Sequence, residues 1–220
     1  MRTATALLLA IAAGAPAAHG DVTTYTTQAA FASATASLAT EAFADFDAFA
    51  DATPLPSGTT TGGVTFTYVI GDNVQLMAVG GFQTISSPNS LGTSNGFVFL
   101  AGDAFTMSFP PSTAVGLYVI AEDLLPGHVV LQAPVGEVEN GDAEGMLPGT
   151  SISVFFLGIV ESDPGLAFTT ATVTSIPVET AGDFVWNVDN VEAAPEPGAL
   201  GAAAAAALGL VAQRRRRVPA

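Results

Sequence analysis

Apolar and polar side chains alternate with a period of two along much of this chain. Residues 64–70 place Val, Phe, Tyr and Ile at every second position, and residues 105–109 alternate Phe and Met with Thr and Ser. Such alternation directs apolar side chains to one face of a β-strand and polar ones to the other. Both segments therefore predict strands with one buried face.

Four other segments are more continuous and predict strands buried on both faces or interior strands of a sandwich: residues 114–121, 128–133, 151–160 and 168–176. Gly, Pro, Asn and Asp separate the segments and indicate turns. The spacing predicts about ten or eleven short strands. We expect an all-β fold, a β-sandwich of the jelly-roll type.

One segment near the start has a helical pattern. Residues 27–38 follow a predicted strand at 22–25, and Phe31 and Leu38 lie seven positions apart, on one helical face. Thr26 or Thr27 would cap its first turn. We expect this short helix to pack on one end of the sandwich.

The charge distribution excludes several functions. The chain carries 20 Asp and Glu against five Arg and no Lys, and its formal net charge is −15. The arginines are Arg2 and residues 214–217, so residues 21–193 contain 19 acids and no Lys or Arg. This stretch has no basic surface for nucleic acid or for anionic lipid. Cysteine is absent, which excludes disulfides and thiolate chemistry.

The first twenty residues have the pattern of a signal peptide. Arg2 precedes a short apolar run, and the small residues Ala18 and Gly20 precede Asp21, where cleavage would fall. The run is too short to span a bilayer. We expect residues 1–20 to direct export by the Sec machinery and residues 21–193 to form one extracytoplasmic β-sandwich domain.

The last residues form a second targeting segment, 194–217. It contains Pro195, Glu196 and Pro197, then an uncharged run at 198–212, then four arginines. As a helix the run would measure about 23 Å, close to a membrane span. Positive charge stays in the cytoplasm, so Arg214, Arg215, Arg216 and Arg217 would set the topology, with the acidic domain outside.

These features together resemble the PEP-CTERM sorting signal of exported surface proteins. The resemblance implies that an exosortase, an integral membrane peptidase, recognises Pro195, Glu196 and Pro197 and removes the transmembrane sorting helix. The protein would be held in the inner membrane before processing. It would then reach the cell envelope, the cell surface or the extracellular matrix, in contact with exopolysaccharide. The sequence Tyr-Thr-x-x-Ala-Ala-Phe at residues 25–31 is also similar to the start of such proteins.

Several acids could bind a metal ion. Calcium takes six to eight oxygen ligands, and strand spacing would place Asp45 and Asp47 on one face. In jelly-roll domains a cation often joins the first strand to the last. Such a cation would bring Glu41 and Asp45 close to Asp189 and Asn190. We therefore predict a structural Ca²⁺ site, with ligands drawn from Glu41, Asp45, Asp47, Asp189 and Asn190. The alternative is that these acids are simply solvated.

Other chemistry is weakly indicated. His128 is the one histidine that would remain after removal of the signal peptide, and the chain contains no G-x-S-x-G motif. Trp186 alternates with Phe184 and Val188, a pattern typical of a core strand. The acidic segment 137–145 does not match an EF-hand. We therefore expect a structural or adhesive protein without catalytic residues. The alternatives are a lectin-like carbohydrate-binding module, perhaps assisted by calcium, and a secreted enzyme that cleaves glycans with two carboxylates.

Overall fold

The computed structural model describes residues 20–40, 42–70, 74–80, 84–177 and 184–195. They fold into two antiparallel sheets, an all-β sandwich, as the alternating pattern predicted. The elements in chain order are β1 (Val22–Tyr25), α1 (Gln28–Thr35), β2 (Ala42–Ala44), β3 (Thr53–Leu55), β4 (Thr59–Thr61), β5 (Val64–Tyr68), β6 (Leu76–Val79), β7 (Ser90–Thr93), β8 (Phe99–Leu100), β9 (Ala104–Ser112), β10 (Ala114–Glu122), β11 (Val129–Ala133), β12 (Gly136–Glu139), β13 (Gly145–Met146), β14 (Ser153–Glu161), β15 (Phe168–Ser175) and β16 (Val185–Ala194), with a 3₁₀ turn at Pro164–Leu166.

The two sheets differ in what covers them. Sheet A has the order β1-β14-β10-β16-β7-β6-β3, with β13 added to β14 and with β2 and β8 added to β16. Sheet B has the order β12-β11-β15-β9-β5-β4. In sheet A, β10 and β14 are buried at almost every position, whereas β9 and β15 of sheet B alternate. The central strands of sheet A are therefore covered on both faces, and sheet B has an exposed outer face.

The strand count was underestimated. The described residues contain sixteen strands, not ten or eleven, and the additional ones are short. In β7, for example, the polar Ser90 and Thr93 are 0% exposed, so the residues show no alternation. Tertiary pairing, and not local pattern, forms these strands.

The core lies between the sheets and is rich in aromatic rings. Trp186 of β16 is 0% exposed and stacks on Phe99 with ring centroids 4.4 Å apart. Phe99 stacks in turn on Phe105 of sheet B at 5.3 Å. The indole nitrogen of Trp186 donates to the Leu100 carbonyl at 3.2 Å, so its polar atom is satisfied. Each such buried ring contributes about 1.5–3 kcal/mol.

The predicted helix exists, but its position was wrong. Its first turn follows Thr27 and its buried residue is Phe31, as the pattern indicated. The helix packs on the outer face of sheet A, against β14, and not on one end of the sandwich. Phe31 lies over Gly116 and Gly158, which are direct partners in β10 and β14. Two adjacent glycines provide the space that the ring fills.

Candidate functional site

The outer face of sheet B is an array of hydroxyl groups. Antiparallel register aligns Thr65 with Ser108 and Thr170, and it aligns Thr67 with Thr106 and Thr172. Neighbouring strands lie about 4.8 Å apart, and alternate residues of one strand are about 6.7 Å apart, so the array is regular. We call this surface the hydroxyl face; it comprises Thr60, Thr65, Thr67, Thr106, Ser108, Thr170, Thr172 and Thr174.

Hydrogen bonds link members of the hydroxyl face across strands. The hydroxyl oxygens of Thr106 and Thr172 lie 3.0 Å apart, and those of Thr60 and Thr65 lie 2.7 Å apart. The Thr67 hydroxyl donates to the Thr106 carbonyl at 3.4 Å. A hydroxyl has one donor and two acceptor sites, so each group keeps hydrogen-bonding capacity toward a ligand.

A shallow depression of about 430 Å³ lies on this face. Its lining includes Ser57, Thr67, Tyr68, Thr106 and Thr172. Thr172 pairs with Gln132 of β11, and Gln132 pairs with Glu137 of the edge strand β12. Glu137 is the first charged residue that this row of paired residues reaches. The lining also includes Ala104, Phe105 and Val69, which is 99% exposed, so the depression presents apolar surface beside its neutral hydroxyl groups.

A second depression, of about 260 Å³, lies on the outer face of sheet A. Tyr118, Glu144 and Met146 line it. Burial, together with the negative charges of Glu144, Glu192 and Asp189, raises the pKa of Tyr118 to about 12. Tyr118 therefore stays neutral at physiological pH. Two of the acids around it, Asp189 and Glu192, lie on β16, and the third, Glu144, directly precedes β13.

Asp189 holds a loop rather than facing a cleft. Its carboxylate accepts hydrogen bonds from the Ile85 and Ser86 amides, both at 2.9 Å, from the Ser86 hydroxyl at 3.1 Å and from the Asn190 amide at 2.8 Å. The side chain is 0% exposed, and burial raises its pKa to about 6 although these hydrogen bonds oppose the shift. A carboxyl that acts on a glycan must reach solvent, and Asp189 does not.

The calcium site predicted from Glu41, Asp45, Asp47, Asp189 and Asn190 stays a prediction. Among the described residues no three His, Asp or Glu side chains are grouped as they would be to hold a metal ion, and Glu41 lies outside those residues. The strand spacing assumed for Asp45 and Asp47 was wrong, because β2 ends at Ala44. Instead, Asp45 accepts from the Asp47 amide at 3.2 Å, as in a turn.

Three acids hold the connection between β6 and β7. Asp51 accepts from the Gly80 amide at 2.7 Å, Asp47 accepts from the Asn89 amide at 3.0 Å, and Asp189 binds Ile85 and Ser86 as described above. Carboxylates that accept backbone hydrogen bonds need no Lys or Arg partner. The roles of Asp47, Asp51 and Asp189 were not predictable from the sequence, because their partners are backbone amides.

Two other residues of interest have structural surroundings. Trp186 lies in the core, as its alternation predicted, so it is not an exposed sugar-stacking residue. His128 packs edge-on against Phe184 at 5.9 Å, and its backbone amide donates to the Asn140 side chain. Asn140, within the acidic segment 137–145, is 2% exposed and also accepts from the Val129 amide. This asparagine joins the start of β11 to the end of β12, at the end of the hairpin opposite its turn.

The predicted targeting segments lie almost wholly outside the described residues. Only Gly20 of the signal peptide and Ala194 and Pro195 of the sorting signal are within them. Glu196, Pro197 and Arg214 to Arg217 are outside, as is the run that would cross the membrane. Within the described part of the chain, no helix is both long and apolar enough to span a bilayer.

The chain matches no family model, and no curated protein matches it. The fold defines the class of this protein: an all-β protein of two antiparallel sheets, one with central strands covered on both faces and one with an open hydroxyl face.

Proposed function

We propose that this protein is an exported, non-enzymatic component of the cell surface or exopolysaccharide. In this proposal the signal peptide at 1–20 directs export and an exosortase processes the chain at Pro195, Glu196 and Pro197. The sandwich then acts as a structural or adhesive domain in contact with extracellular polysaccharide. We also propose that the strands are connected as in a jelly roll. Successive strands or hairpins from β9 onward alternate between the two sheets, which supports this connection.

The position of the sorting motif supports processing. The last strand, β16, pairs along its length with β10 and ends at Ala194, whose carbonyl accepts from the Thr113 amide at 3.0 Å. Pro195 follows at once. A cut at or beyond the Pro-Glu-Pro motif would therefore leave intact every strand in the described part of the chain, as a protein released into the envelope requires.

The hydroxyl face is the observation that carries the adhesive role. Each hydroxyl–sugar hydrogen bond contributes about 0.5–1.5 kcal/mol net, too little for tight binding alone. A polysaccharide chain that lies across the face contacts several hydroxyl groups at once, so these weak contacts add up. The neutral, regular array of Thr67, Thr106 and Thr172 suits an uncharged, hydroxyl-rich chain.

Processing is tested by the mass of the mature protein isolated from its native host. We expect a chain that begins near Asp21 and lacks residues 198–217. Glu196→Ala should retain the C-terminal segment because the recognition motif is altered, whereas Pro219→Ala, beyond the arginines, should be processed normally. A mature chain that still contains Arg217 would contradict the proposal.

The adhesive role is tested by cosedimentation with exopolysaccharide from the native host. The triple variant Thr67→Val, Thr106→Val and Thr172→Val removes three hydroxyls at nearly constant volume, and we expect the bound fraction to fall several-fold. The matched control replaces Thr23 and Thr24 of β1, which are exposed on sheet A, with Val. Equal binding by both variants would show that the hydroxyl face is not the contact surface.

A lectin-like module is the second candidate, and the depression beside Tyr68 favours it. A lectin binds short oligosaccharides in a pocket, whereas an adhesive surface needs the polymer. Calorimetry with oligosaccharides hydrolysed from the same polysaccharide separates the two. Saturable binding of a short fragment that Tyr68→Ala removes would favour the lectin.

A further inference from the structure

The chain contains two Asn-Gly pairs, and the fold places them in very different surroundings. Asn95 and Gly96 lie in the turn between β7 and β8, where both residues are exposed. Asn140 and Gly141 follow β12, and Asn140 is 2% exposed. An Asn-Gly pair favours deamidation, because glycine has no β-carbon to hinder its backbone nitrogen as that nitrogen approaches the side-chain carbonyl of the asparagine. Burial and hydrogen bonding then decide which pair reacts.

The turn is open around Asn95. Gly96 has a φ of 69°, and beyond its chain neighbours no atom lies within 4 Å of a β-carbon built on it. The Asn95 amide donates to Thr93 Oγ1 at 3.1 Å, and the Thr93 hydroxyl donates to the Val98 carbonyl at 2.5 Å. These bonds hold the backbone of the turn, whereas the Asn95 side chain lies in solvent. The carbonyl carbon of this side chain can therefore approach the Gly96 nitrogen without the movement of a buried side chain.

The side chain of Asn140 is held by three hydrogen bonds. Its Oδ1 accepts from the His128 and Val129 amides, both at 2.8 Å, and its Nδ2 donates to the Leu125 carbonyl at 2.9 Å. Its backbone amide also donates to the Val129 carbonyl at 2.9 Å. Reaction at Asn140 requires these bonds to break first, so it proceeds only when the hairpin opens locally. This requirement slows the reaction by about tenfold or more.

We propose that Asn95 is a site of spontaneous deamidation and that its surroundings protect Asn140. The Gly96 nitrogen loses its proton and bonds to Cγ of Asn95, the bond from Cγ to Nδ2 breaks, and ammonia leaves. Water then opens the resulting succinimide at either carbonyl and gives aspartate or isoaspartate. The reaction consumes one water and releases one ammonia, and it needs no enzyme. Either product adds a negative charge, and isoaspartate also lengthens the backbone of the turn by one methylene group.

The test is incubation of the purified protein at physiological temperature, followed by peptide mapping with mass spectrometry. Residues 21–193 contain no Lys or Arg for trypsin, so pepsin is used, and its acidic conditions also stop the reaction. We expect the conversion of amide to acid to be about tenfold or more faster at Asn95 than at Asn140. The rate at Asn95 should rise with pH, because the attacking nitrogen must lose its proton. An isoaspartyl methyl-transfer assay should label the same peptide.

Two controls separate the effect of the fold from that of the Asn-Gly sequence. Asn95→Gln keeps a side-chain amide but must close a larger ring, so its peptide should stay unmodified while Asn140 behaves as in the wild type. In urea, where the hairpin is unfolded, both pairs should react at similar rates. Equal rates at Asn95 and Asn140 in the folded protein would overturn the proposal. It would also be overturned if Asn95 stayed unmodified in the folded protein and reacted only in urea.

Discussion

Asp189 shows how a buried acid is tolerated in a domain without basic residues. Four hydrogen bonds from the segment at 85–86 and from Asn190 surround its carboxylate, and none comes from a charged group. Burial still dominates and raises its pKa to about 6. Asp189 thus secures the loop next to β16 at a cost that depends on pH.

The pKa of Asp189 predicts a pH effect on stability. Between the unfolded pKa of 3.8 and the folded pKa of about 6, the native state binds more protons than the unfolded state. The contribution of Asp189 to the free energy of unfolding is therefore full below this window and is lost as the pH rises through it. Relative to Asp189→Asn, which cannot titrate, the wild type should lose about 1–3 kcal/mol between about pH 4 and pH 7.

Urea unfolding of both proteins across this range measures the effect. Asp142→Asn, a change at an exposed acid, is the control and should follow the wild type. The prediction would be contradicted if the free energy of unfolding changed with pH by the same amount in the wild type and in Asp189→Asn.

At the scale of elements, helix α1 depends on the two glycines below it. The helix has eight residues, too short to be stable alone, and its Thr27 side chain makes no capping hydrogen bond. Its stability comes from Phe31, which packs against Phe156 with ring centroids 5.2 Å apart and lies over Gly116 and Gly158. Any side chain at these glycines competes with the ring for the same space.

Gly158→Ala should therefore destabilise the protein. The added β-carbon would lie 2.5 Å from Phe31 Cδ2 and 2.9 Å from Phe156 Cε1, so both rings must move, which costs about 1–3 kcal/mol. Gly145→Ala is the matched control, because no atom lies within 4 Å of its β-carbon. The same cost in a Phe31→Ala background would contradict this explanation, since removing the ring should relieve the clash.

The whole molecule is a polyanion without internal cations. Residues 21–193 carry 19 acids and no Lys or Arg, so neighbouring carboxylates repel one another over the surface. Such self-repulsion destabilises the compact state, and salt screens it. Compact folding is then compatible with high charge only because the aromatic core and the sheet pairing outweigh the repulsion.

Raising the salt concentration should accordingly raise the Tm. The Debye length falls from about 30 Å at 0.01 M to about 3 Å at 1 M, and each 1 kcal/mol of relief shifts the Tm by about 2–4 °C for a domain of this size. Thermal melts in NaCl and in choline chloride should agree, because both salts screen equally. A Tm that stays constant in both salts would contradict the role of repulsion.

The sequence by itself determined the local features. Period-two alternation and apolar runs predicted β5, β9, β10, β14 and β15, and the spacing of Phe31 and Leu38 predicted α1. Composition alone established the acidity of the domain. These features were predictable because each depends on a few consecutive residues, whose periodicity decides which face is buried.

Only the tertiary structure decided which segments meet. It placed β16 between β10 and β7, paired Gly116 with Gly158 beneath α1, and aligned threonines from four strands into the hydroxyl face. It also gave Asp47, Asp51 and Asp189 backbone amides as partners, and it buried Asn140 while leaving Asn95 exposed. Strand order and register follow from burial summed over all strands, and backbone partners have no residue type to recognise, so no local pattern records either.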